Sequence, residues 1–137
     1  MRRVLAACIV LAGLSLYGQA SRGPWWNGQT IKELNLNADQ MRQMRETVRE
    51  YRPRLQELRA SVQKAEQDLE NVFNADTIDN QKANEAIDHL VAARSDLSRT
   101  LAQMGLKLRA ILTLPQWQDV QKRFAARAAA KQAPPTN

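Results

Sequence analysis

Cysteine occurs once in the 137 residues, as Cys8, and histidine once, as His89. With no second thiol the chain can form neither an internal disulfide nor a thiolate metal cluster, and a single imidazole does not make a zinc or nickel site. Glycine and proline number five each, which leaves no glycine-rich phosphate loop and little of the turn chemistry that separates strands. No alternating run rich in Val, Ile and Thr signals a strand. No arrangement of Ser/His/Asp or Cys/His type is present either, so the chain is not expected to be an enzyme.

A long hydrophobic run is also missing. The apolar stretch Val4 to Tyr17 is too short to span a membrane. It follows Arg2-Arg3 and precedes Gly18-Gln19-Ala20, small residues at the two positions a signal peptidase reads. Residues 1–20 are therefore expected to be a cleavable signal peptide, with export and a mature chain beginning near Ser21. Leu5-Ala6-Ala7-Cys8 looks like an acylation site but has almost no apolar stretch ahead of it. Loss of Arg2 and Arg3 lowers the formal charge of +6 by two. That mild basicity, without a basic block, points away from nucleic acid and towards anionic or mixed-charge partners.

What remains reads as helix. Residues 21–36 contain Gly23-Pro24-Trp25-Trp26-Asn27-Gly28 and are expected to form an irregular arm. From Met41 through Met44, Val48, Tyr51, Leu55, Leu58, Val62, Ala65 and Leu69 to Val72, apolar residues recur by threes and fours, as in a left-handed coiled-coil seam. Pro53 lies inside this segment and predicts a kink near Tyr51 to Pro53. Asn74 to Asp79 reads as a turn. A second seam follows through Ala83, Ile87, Leu90, Leu97, Leu101, Met104, Leu108 and Ile111, with Arg94 in the slot where an apolar residue is missing.

The expected fold is all-α: a long antiparallel helical hairpin with a kinked first helix, then a short C-terminal helix through Trp117, Val120, Phe124 and Ala128. The hairpin domain is assigned to residues 37–131 and a disordered tail to residues 132–137. A lone hairpin of this size buries little apolar area, so a homodimer is expected. Gly105, inside the second long helix, suggests a weak or close-packed turn and not a functional hinge, and Trp25, Trp26 and Trp117 are expected to pack on the body.

Two helices begin with nearly the same phrase, Leu36-Asn37-Ala38-Asp39-Gln40 and Leu112-Thr113-Leu114-Pro115-Gln116. In each, the cap residue Asn37 or Thr113 can accept from the third helical N–H, while Gln40 or Gln116 reaches back to the cap's own N–H. Leu36 and Leu112 sit where a hydrophobic staple would meet Met41 and Trp117. The phrase starts helices; alone it names no function.

An exported, cysteine-poor helical chain with two Leu-Thr-x-x-Gln phrases bracketing a hairpin resembles the Spy/CpxP family of periplasmic proteins. Trp25-Trp26 ahead of Leu34-Asn35-Leu36, Ala75-Asp76-Thr77-Ile78-Asp79, and Ala93-Arg94-Ser95-Asp96-Leu97 with Leu108 to Thr113 are similar to its metal-resistance branch. The resemblance covers nearly all of residues 25 to 125. Asn37 stands for the usual threonine, and Pro115 is displaced by one place from the common Thr-Pro-Glu-Gln. The resemblance implies an ATP-independent chaperone for unfolded or partly folded envelope proteins, acting in envelope stress through a concave basic surface on a dimer. The alternative it raises is a heavy-metal sensor or resistance accessory, and after that a CpxP-like modulator that docks on a sensor kinase.

The residues bear on these readings unequally. Arg42, Arg45, Arg49, Arg52 and Arg59 recur beside the first seam, where long stems over apolar surface suit loose contact with unfolded chains. The same stripe could be a solvated face, with Glu46 and Glu50 forming ion pairs along it. For metal, His89 with Glu85 and Asp88 is the candidate set for zinc or nickel, short of a defined ligand group. Met41, Met44 and Met104 fall on seam positions and read as core. No cofactor is expected.

Overall fold

A computed structural model of the chain describes residues 24–132. The signal peptide assigned to residues 1–20, the first three residues of the arm and residues 133–137 of the expected tail lie outside the described residues. Among the described residues four helices follow in order: α1 (Gly28–Glu33), α2 (Ala38–Phe73), α3 (Asn80–Ile111) and α4 (Leu114–Gln132). No strand is present among the described residues.

The arm is less irregular than its sequence suggests. Asn27 caps α1 by accepting from the Thr30 N–H at 2.9 Å, and six residues are too few to display a helical period. The chain then reverses through Asn35, which adopts φ 49°, a left-handed conformation that asparagine tolerates. Asn37 opens α2 as expected, and the helix continues for 36 residues without stopping at Pro53. At the far end the backbone N–H of Asn74 donates to the carbonyl of Glu70, and Asp79 caps α3 by accepting from the N–H groups of Gln81 and Lys82.

α2 and α3 form the antiparallel hairpin. Glu50 pairs with Lys107 near its base, and Glu66 with Arg94 further out, so sequence positions run in opposite directions along the two helices. Every seam residue of α2 is at least half-buried. On α3 the register differs by one residue at the distal end: Ile87 is 44% exposed, whereas Ala86 is buried at 7%. Ala93 is half-buried in the slot where the sequence pattern places Arg94. The inward side of distal α3 is thus carried by Leu90 with Ala83, Ala86 and Ala93, small residues that let helices approach closely, and the bulkier Ile87 lies round the turn.

The main core sits at the base, where the arm, the hairpin and α4 converge. Leu34, Met44, Leu55, Met104, Leu108, Leu112 and Val120 are buried there, with all three tryptophans packed against them. Each such aliphatic side chain contributes about 1.5–3 kcal/mol when fully buried. Trp26 lies against α3 at Gly105, where a Cβ would come within 2.8 Å of its indole. Gly105 is therefore a close-packed turn, as its position suggests.

Candidate functional site

The two helix-starting phrases meet in space. Asn37 Oδ1 accepts from the Gln40 N–H at 2.8 Å, and Gln40 Oε1 accepts from the Asn37 N–H at 3.1 Å. Thr113 and Gln116 repeat this reciprocal box, with Gln116 Oε1 accepting from the Thr113 N–H at 2.9 Å. The two glutamine amides then pair with each other: Gln40 Nε2 donates to Gln116 Oε1 at 2.8 Å, and Gln116 Nε2 donates to Gln40 Oε1 at 3.1 Å. Gln40 Nε2 also reaches the Ile111 carbonyl at 3.0 Å.

Gln40 is 8% exposed, so these amides would be costly to leave unpaired. The paired caps join the starts of α2 and α4 to the end of α3. Leu36 and Leu112 pack into the same core. Capping chemistry was legible in each phrase, and the identical placement of the two glutamines was the one available sign of their pairing.

Around this base the arm and α4 lock together. Arg123 donates to both Glu33 and Asp119, and these contacts raise its pKa, the hydrogen bond it donates to Asp119 contributing most. Arg127 donates to the hydroxyl of fully buried Thr30. Trp25 contacts Trp26 and Trp117 edge-to-face at 5.6 and 5.4 Å, and the Arg109 guanidinium lies 4.9 Å from the Trp117 ring centre. The arm is thereby held against the arginine side of α2, a placement the sequence did not reveal.

Two troughs open on that side. One, of about 260 Å³, is lined by Ile31, Met41, Met44, Arg45, Val48, Arg49, Arg52 and Leu108. The second, about 390 Å³, lies between Trp26, Val48, Arg52, Leu55, Gln56, Arg59 and Met104. Of the five predicted arginines, four border a trough. Arg42 does not, and it pairs with Asp39. Arg45, Arg49, Arg52 and Arg59 are exposed and form no ion pair among the described residues.

The other side of the hairpin is compensated. Glu50 turns away from the stripe and pairs with Lys107 at 2.8 Å, while Arg54 pairs with Glu57 at 2.8 Å. The hydrogen bond with Glu50 is the largest cause raising the Lys107 pKa, with desolvation opposing it. Glu46 lines a groove with Glu50 and Lys107, away from the arginines. Apart from Arg42 with Asp39, the ion pairing that would have made the stripe an ordinary solvated face is therefore absent among the described residues.

The sequence profile of the heavy-metal resistance family matches residues 4–119. The chain belongs to this family. That family is related to the Spy/CpxP group with Leu-Thr-x-x-Gln phrases. Comparison with curated proteins and with solved structures gives no match.

The described residues do not fit a metal. No three His, Cys, Asp or Glu side chains among them converge on one point. His89, Glu85 and Asp88 are all exposed on α3, and Glu85 accepts from Gln81 at 3.2 Å. Met44 and Met104 are buried at 3% each, and Met41 is half-buried on the α2 seam. No helix among the described residues is long and apolar enough to cross a membrane.

Proposed function

We propose that this heavy-metal resistance protein acts in the periplasm as an ATP-independent holdase for unfolded or partly folded envelope proteins. The observation that carries the reading is the arginine side of α2: Arg45, Arg49, Arg52 and Arg59 stand unpaired among the described residues beside two apolar-floored troughs. Charge attracts a client at range, and hydrocarbon holds it briefly. The arginine stems extend the apolar surface. A second copy would cover exposed apolar residues such as Phe73, Ile78 and Val91, so the working unit is a homodimer in this proposal.

The family match supports a metal-responsive accessory role equally well. The two are separated by scattering from a chemically denatured client diluted into buffer with the purified protein, first in EDTA and then with zinc. Suppression of aggregation in EDTA is the expected result. Suppression that requires zinc would move the assignment to metal response, and a stable complex with a sensor-kinase domain without any suppression would favour a signalling modulator.

A further inference from the structure

The smaller trough has a chemical bias that the larger surface lacks. Its lining side chains carry three guanidinium groups, from Arg45, Arg49 and Arg52, and otherwise only hydrocarbon and thioether. No carboxylate, amide or hydroxyl side chain lines it. The neighbouring trough contains Gln56, and the grooves on the opposite side contain Glu50 with Asp96 or Glu46. A ligand suited to the smaller trough therefore needs polar atoms that only accept hydrogen bonds, all at one end, and an apolar remainder.

We infer that this trough is a binding site for a single-chain anionic amphiphile, a medium-chain fatty-acid carboxylate. The arginines step by four and three along α2, and their planar donors match a carboxylate's two oxygens. Met44 and Leu108 are buried at 3% and 1% beneath the trough, and Met41 brings a flexible side chain that adjusts to an alkyl tail. A peptide segment laid fully into the trough would bring backbone N–H groups that find no acceptor in the lining side chains, a cost the carboxylate avoids. At roughly 30 Å³ per methylene, close to the volume of a water, a trough of about 260 Å³ takes a tail of about eight or nine carbons, the alkyl chain of decanoate.

This site shares Arg45, Arg49 and Arg52 with the proposed holdase surface, but it is tested with no client present, so either proposal can fail alone. The probe is sodium decanoate, below its micelle-forming concentration, titrated calorimetrically into the purified protein. Saturable binding of one equivalent per chain is expected, with decanol and acetate each about tenfold weaker or more. The Met41 and Met44 methyl resonances shift on binding. The triple variant Arg45→Gln/Arg49→Gln/Arg52→Gln, shown to be folded by circular dichroism, loses the binding, whereas Arg54→Gln on the opposite side keeps it. Equal affinity for decanoate and decanol, retained binding in the triple variant, or no saturable heat would each overturn the inference.

Discussion

Gln40 shows how a residue that begins as a helix cap becomes a tertiary contact. Its amide serves its own cap, its counterpart Gln116 and the Ile111 carbonyl at once. Gln40→Ala should therefore cost about 1–3 kcal/mol in denaturant unfolding, the range for losing buried hydrogen bonds. In a double-mutant cycle with Gln116→Ala, the two effects should be less than additive, because the second truncation removes a partner already lost. Strict additivity would mean that the amide pair contributes nothing as a pair. At Gly105 the prediction is steric: Gly105→Ala places a Cβ against the Trp26 ring. Overpacking of this kind costs about 1–3 kcal/mol, and the tryptophan emission should shift to the red as Trp26 is displaced. Lys107 gives a pH-dependent test. Its folded pKa is raised above 10.5, so its pairing with Glu50 is fully stabilising below that value and is lost as pH rises through the folded pKa. The Tm gap between the protein and Lys107→Gln should shrink with pH over that alkaline range.

At the scale of elements, the long helices were legible because their seams persist for many turns and their starts carry recognisable caps. α2 begins at Ala38 and α3 at Asn80, where Asn37 and the Asn74 to Asp79 turn place them. Shorter and finer features were not legible. α1 is too brief to show a period, and the choice between Ala86 and Ile87 depends on how closely two helices approach, which no single helix's pattern contains. The arginine stripe was visible as spacing, but its lack of carboxylate partners depends on which way Glu46 and Glu50 turn. The troughs depend on Trp26 and Ile31 folding back from the arm. Pro53 offers a direct test at this scale. It removes one hydrogen-bond donor from the middle of α2 while the helix continues, a defect that costs a helix interior up to about 3 kcal/mol. Pro53→Ala should raise the Tm without altering helix content, and a fall in stability would show that the proline is required for packing.

For the whole molecule, the two sides of the hairpin divide the labour. One is closed by ion pairs such as Glu50 with Lys107 and Arg54 with Glu57; the other keeps its arginines available over apolar ground. The paired caps, the Arg123 contacts and the tryptophan cluster concentrate order at the base. The distal half has fewer buried residues and leaves Phe73, Ile78 and Val91 exposed. Such a distribution suits a protein that offers a firm base and a less tightly packed far end to a partner without fixed shape. Neither half supplies a converging metal-ligand set among the described residues.

The most direct test compares aggregation of a denatured client in EDTA with the unaltered protein and with two triple charge variants. Arg45→Glu/Arg49→Glu/Arg52→Glu reverses the available side. Arg54→Glu/Lys107→Glu/Arg99→Glu makes the same change in net charge on the other side. The account predicts a loss of suppression of about tenfold or more, judged by the protein concentration needed, for the first variant only, given the energies of charge-assisted contacts. Equal loss in both would reduce the effect to net charge, and no loss in either would contradict the assignment of client holding to this face.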